Sequence, residues 1–129
     1  MSAEENLQRF RQALTDFESS GAVDELTELF GETAELERPE VGSHHSRTSS
    51  PEEFWQAYRA QFDEIASTFT RSAAGAQLAV LEWTADGKLA GGTPIRYAGV
   101  SLLEYADDGR ISRFATYFDT AAFITTGSR

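Results

Sequence analysis

The stretch "TPIRYAGVSLLEYADDGRISRFATYFD", residues 93–119, decides the fold. Two runs of alternating apolar and polar residues flank Asp108-Gly109, a dipeptide that closes hairpins because glycine tolerates positive φ. A period of two along each run means strand. Upstream, "QLAVLEWTADGK" (77–88) alternates in the same way and predicts a third strand, running into a turn at Asp86-Gly87. "AGG" at 90–92 reads as a bend in a sheet connection, because the Lys-Ser/Thr pair and following helix of a phosphate loop are missing. The second half of the chain is therefore expected to be a three-stranded antiparallel meander.

The first half has a different period. Ser2 ahead of Glu4 and Glu5 marks a helix start, and Leu7, Phe10, Leu14 and Phe17 recur at helical spacing until "ESSG" (18–21) stops them. Val23, Leu26, Leu29 and Phe30 predict a short second helix ended by Gly31. "TAELERPE" (33–40) alternates as a strand closed by Pro39, and the polar run "VGSHHSRTSS" (41–50) is a loop. Ser50, Pro51 and Glu53 then form a capping signal, after which Phe54, Tyr58, Phe62, Ile65 and Phe69 predict a long third helix. Helices first and strands afterwards indicate an α+β domain with helices on one face of an antiparallel sheet. A chain of 129 residues without repeats or a long linker is expected to be one domain, with a core of about 4–123 and a flexible tail at 124–129.

Composition narrows the partners. A net charge of −10 with eleven scattered Lys and Arg gives no phosphate-binding face, so nucleic acid is not expected. No run reaches the ~20 apolar residues of a membrane helix, and "MSAEENLQRF" lacks the pattern of a signal peptide, which makes a cytoplasmic protein the simplest expectation. Without Cys there is no thiol nucleophile, disulfide or thiolate metal site. His44 and His45 are adjacent in a loop with no third ligand nearby, so no metal is expected.

The segments "SPEEFWQAY" (50–58), "EWTADG" (82–87), "YAGVSLLEYADDGRI" (97–111) and "YFD" (117–119) resemble the nuclear transport factor 2-like superfamily in its SnoaL-like, polyketide cyclase-like branch. The resemblance runs from Glu4 to Phe123. It implies a cone-shaped α+β barrel: a strongly curved antiparallel sheet wrapped around about three N-terminal helices, with an apolar pocket open at one end. It also implies a homodimer through the outer sheet face, near Glu82, Thr84 and Glu104, and no organic cofactor. The superfamily holds polyketide cyclases, ketosteroid isomerases, limonene epoxide hydrolases, dehydratases and non-catalytic modules, so fold alone does not choose among them.

Residue by residue the resemblance is partial. The catalytic Asp of the isomerases falls on Arg38, and their two oxyanion donors fall on Leu14 and Ser101. A guanidinium cannot abstract a proton at neutral pH, so a steroid-type isomerase is not expected. The epoxide hydrolase Arg/Asp pair falls near Trp83 and Ala85, leaving Asp119, at the end of the last strand, as the surviving carboxylate. Alternation puts Asp119 on the face of Tyr117 and Ala115, opposite Phe114, Thr116 and Phe118. If that face lines the cone, Asp119 is a desolvated acid or base, with Arg38 as its partner or as a binder of an enolate. The competing reading has Asp119 capping the "TAAF" turn that follows. Trp55, Tyr58, Trp83, Tyr97 and Tyr117 are candidate lining residues, with Leu14 and Ser101 beside them and His44 as a proton shuttle at the mouth. Two functions stand open at this point. One is a cofactor-independent cyclase, isomerase or lyase acting on an aromatic or polycyclic carbonyl compound. The other is a non-catalytic module that binds an apolar ligand or supports dimerisation.

Overall fold

A computed structural model of the chain describes residues 2–39 and 50–123. Helix α1 spans Ala3–Ser20 and opens on a full capping box: Ser2 Oγ accepts from the Glu5 N–H at 3.1 Å, and the Glu5 carboxylate accepts from the Ser2 N–H at 2.9 Å. Gly21 ends it at φ 80°, a left-handed conformation open to glycine, with its N–H on the Phe17 carbonyl. The second helix, α2, is one turn (Asp24–Thr27), and strand β1 already starts at Phe30 (Phe30–Glu37). After the predicted Ser50 cap, α3 runs from Pro51 to Ala60.

The third helix is shorter than its spacing implied. Phe62, Ile65 and Phe69 lie on strand β2 (Phe62–Ala74), not on a helix. A register shift between Phe62 and Glu64 places an extra residue on that strand, so Phe62 and Ile65 both turn inward although they are three apart. The bulge copies a helical step. β3 (Leu78–Leu89) also runs straight through Asp86-Gly87, where a turn was expected; the chain turns instead at 90–92, with Gly91 and Gly92 at positive φ. Gly87 is needed for a different reason: a Cβ there would collide with the Glu64 carbonyl of the neighbouring strand.

β4 (Pro94–Tyr105) and β5 (Ile111–Phe118) complete a five-stranded, curved, unclosed sheet in the order β1-β5-β4-β3-β2. The expected all-antiparallel sheet is corrected to a mixed one, because β1 pairs with β5 in parallel. A strand that precedes the third helix can join β5 only by the crossover that α3 and the meander provide. The β4–β5 turn forms as predicted at Asp108-Gly109, with Gly109 at φ 88°.

Inward-facing positions alternate cleanly on β4: Ile95, Tyr97, Gly99, Ser101, Leu103 and Tyr105 all face the helices and are buried. Two apolar clusters result. One joins α1, α3 and the sheet through Phe10, Trp55 and Phe114, with the Trp55 and Phe114 rings 5.1 Å apart. The other gathers Phe62, Ile65, Trp83 and Tyr97 with Phe123, carried by a 3₁₀ turn at Thr120–Phe123. Gly87→Ala is expected to destabilise the protein by roughly 1–3 kcal/mol, since backbone rather than a flexible side chain must yield; urea unfolding monitored by circular dichroism measures it.

Candidate functional site

The two clusters leave between them a cavity of about 40 Å³. Leu14 of α1, Trp55 and Tyr58 of α3, and Trp83, Tyr97 and Ser101 of the sheet stand on its wall, together with Arg38 just past β1. Phe114, Thr116 and Phe118 form the β5 side. That volume holds about three waters, well below the ~300 Å³ at which ligand pockets usually begin. A six-membered ring therefore enters only if side chains of the wall move.

The wall is held by directed polar contacts. Trp83 donates its indole N–H to Ser101 Oγ at 2.9 Å, and Ser101 shares a 2.8 Å bond with Thr116 Oγ1. Gly99 makes room for this, because the Trp83 ring lies where a Cβ would be. Arg38 donates to Gln61 Oε1 at 2.8 Å, and its guanidinium carbon sits 5.8 Å from the Phe54 ring centroid. Trp55 differs: its indole N–H is buried, the residue is 3% exposed, and among the described residues it has no acceptor.

A buried carboxylate that the sequence reading passed over lies behind this wall. Glu18, 3% exposed, accepts from the Tyr58 hydroxyl at 2.7 Å, from Ser67 Oγ at 2.7 Å and from the Ser67 backbone N–H at 2.8 Å. Burial first, and then the negative charge of Glu18, hold the Tyr58 hydroxyl well above the usual tyrosine range. The same two causes, in the same order, raise Tyr97. Signals for Glu18 were present: it stands four residues after Leu14, on the apolar stripe of α1.

Asp119 does not reach this site. Its carboxylate is exposed, and Oδ1 accepts from the Ala121 N–H at 2.9 Å, which starts the 3₁₀ turn that seats Phe123 against Tyr97. Among the described residues Arg38 makes no ion pair with it. Tyr117, expected in the lining, is 51% exposed on the outer face. The cause is a choice of face: Phe114, Thr116 and Phe118 turn toward the helices, so the alternate residues, Asp119 included, turn away. His44 and His45 lie outside the described residues.

Comparisons with known proteins agree with this architecture. A model of the SnoaL-like domain matches residues 7–114. No curated protein matches the sequence. Among solved structures, an NTF2-like protein from Anabaena variabilis superposes with a TM-score of 0.79 at 16% identity, over 91% of this chain and 89% of that one. An epoxide hydrolase/cyclase-like enzyme, SalBIII, of pyran ring formation in the polyether salinomycin gives 0.73 at 16%, over 93% and 92%. An epoxide hydrolase from M. tuberculosis, described as LEH-like, gives 0.67 at 20%, over 92% and 86%. At these identities the likeness shows the fold alone.

Two outcomes follow from the site's geometry. Asp119→Ala should cost about 1 kcal/mol in urea unfolding through loss of the cap, whereas Asp119→Asn, which keeps an acceptor, should be near neutral. The raised hydroxyls give a pH dependence: the folded chain keeps phenolic protons that the unfolded chain loses above about 10. Stability should therefore fall as pH rises through and beyond that value, and Tyr58→Phe should flatten the fall in alkaline melts.

Proposed function

The chain belongs to the SnoaL-like domain family, and on that premise we propose that its cone binds a small, flat, mainly apolar molecule carrying an oxygen acceptor. The observation that carries this reading is Trp55, a residue of the cavity wall whose indole N–H is buried and, among the described residues, unpartnered. A buried donor without an acceptor costs about 1–3 kcal/mol, which a carbonyl, enolate or carboxylate oxygen would recover. Arg38 supplies a cation on the same wall, and the aromatic rings supply flat contact area. The narrow cavity favours a single ring over a polycyclic ligand.

Binding without turnover fits the geometry better than acid–base catalysis by Asp119, whose carboxylate is outside and engaged in a cap. A second reading is favoured by Glu18 alone. A ligand hydroxyl that donates to Tyr58 could pass a proton through it to that carboxylate, the phenol oxygen taking one proton and releasing another. No cofactor is needed for either reading.

The expected dimer partner, a second copy, would lie on the outer sheet face, where Tyr117, Val100 and Leu102 sit beside Arg113, itself paired to Glu37 and Glu104. Both tryptophans of the chain stand on the cavity wall, so intrinsic fluorescence reports occupancy directly. Acetophenone should quench it saturably, and ethylbenzene, the same shape without the oxygen, should bind at least about tenfold more weakly. Trp55→Phe should bring the two within about twofold of each other, while Asp119→Asn leaves both unchanged. Equal affinities in the unaltered protein would refute the assigned role of the indole N–H.

A further inference from the structure

The charge on the wall of the cone has one sign. Among the described lining residues Arg38 alone is ionised; the other polar side-chain groups are hydroxyls and indoles, and no Asp or Glu lines the space. In a chain with 21 Asp and Glu against 11 Lys and Arg, a lone cation there runs against composition. Arg71, Arg96 and Arg113 each pair with a carboxylate at 2.8 to 3.2 Å. Arg38 makes no such pair with any described residue.

Its guanidinium is oriented without being neutralised. Arg38 directly follows β1, and its half-buried side chain donates through Nη1 to Gln61 Oε1 at 2.8 Å. Gln61, which caps the end of α3, is itself anchored: its backbone carbonyl accepts from the Ala90 N–H at 2.9 Å. The guanidinium carbon stands 5.8 Å from the centre of the Phe54 ring, another residue of the wall. Its charge is felt at the Tyr97 hydroxyl, which burial and then Glu18 push up, while Arg38 acts in the opposite direction. A neutral amide as partner fixes direction and leaves the charge uncompensated. The Nε–Nη2 edge, which can hold a carboxylate by two parallel bonds, has no described partner.

These features narrow what the cone would hold. Charge-assisted bonds from a guanidinium to a carboxylate are roughly twice as strong as bonds between neutral groups, so a carboxylate answers Arg38 better than a ketone does. A phosphate or a dicarboxylate brings a second negative charge, for which the described wall has no cation. That second charge would also meet the field of Glu18, buried behind Tyr58. The aromatic wall and the small volume, about 40 Å³, suit a single flat ring for the rest of the molecule.

We propose that the cone selects a single-ring aromatic monocarboxylate, its carboxylate held by Arg38 and Arg38 held in place by Gln61. This rests on the cone being a ligand site, and adds to it the charge of the ligand and a positioning residue. The test compares benzoate with benzamide, nearly the same shape without the charge, by tryptophan fluorescence of the whole protein at about pH 7, where benzoate is ionised. Benzoate should bind at least about tenfold more tightly. Arg38→Met should bring the two within about twofold of each other, and Arg38→Lys, which keeps the charge but loses the fork, should fall between. Gln61→Glu puts a carboxylate against Arg38 at nearly unchanged volume, and should lower the preference for benzoate at least about fivefold. A merely structural Gln61 would weaken both ligands alike and leave that preference unmoved. Acetophenone separates this assignment from the reading beneath it. If acetophenone binds saturably and benzoate is no tighter than benzamide, the carboxylate assignment is overturned and the cone remains a ligand site. It is overturned as well if Arg38→Met or Gln61→Glu keeps the preference of the unaltered protein. If neither acetophenone nor benzoate binds, both readings fall.

Discussion

The fold is organised around a charge that must not be left alone. Glu18 ends the apolar stripe of α1, and packing that stripe against the sheet carries its carboxylate out of water. A buried carboxylate without partners would cost several kcal/mol, so three donors have to be brought to it. Tyr58 comes from the last turn of α3 and Ser67 from the middle of β2, the Ser67 contact using both hydroxyl and backbone N–H. Those bonds tie the first helix to the third and to an edge strand of the sheet. The cavity follows from this tie, since Tyr58 and Ser67 present their remaining surface to the space between the two aromatic clusters.

Which face of the last strand turns inward then settles the fate of its terminal acid. Phe114 is locked against Trp55, and Thr116 is locked into the Ser101–Trp83 hydrogen-bond chain, so strand periodicity leaves no freedom for Asp119. An isolated aspartate inside would have needed a cation within reach. Arg38, the one expected, is engaged with Gln61 and lies over Phe54. Outside, the same carboxylate serves the backbone of the next turn and so positions Phe123 against Tyr97. Its influence on the interior is exerted through that ring.

Much of this was legible in the sequence, and the misreadings have specific causes. The Asp108-Gly109 hairpin and the capping of α1 and α3 depend on local rules, and the structure places them as expected. Phe62, Ile65 and Phe69 were misread as helix because a bulge inserts one residue into a period of two, and spacing alone cannot tell that from a helical step. Gly87 looked like a turn residue, yet its requirement is a neighbouring strand's backbone, which no local window contains. Glu18 was passed over as part of a stop signal, since its partners lie 40 and 49 residues away along the chain. Tyr117 and Asp119 turned on a choice between two faces that alternation defines but does not orient.

Among the described residues three buried polar side-chain atoms, Arg59 Nε, the Trp55 indole N–H and the Tyr105 hydroxyl, are left without a partner, and the surroundings of the last two differ in kind. Around Trp55 the neighbours are rings and a guanidinium, so whatever meets its N–H must be mostly apolar with one oxygen exposed. The space that Tyr105 lines is ringed instead by the Asn6 amide, the carboxylates of Glu28, Asp107 and Asp108 and the guanidinium groups of Arg9 and Arg110, and apolar surface is the minority. Burial pushes the Tyr105 hydroxyl up to about 12, so it stays protonated and neutral at ordinary pH, able both to donate and to accept. At position 105 a phenylalanine would fill nearly the same volume without the desolvation cost. The polarity of the wall, more than the fold that carries it, therefore determines what each space can hold.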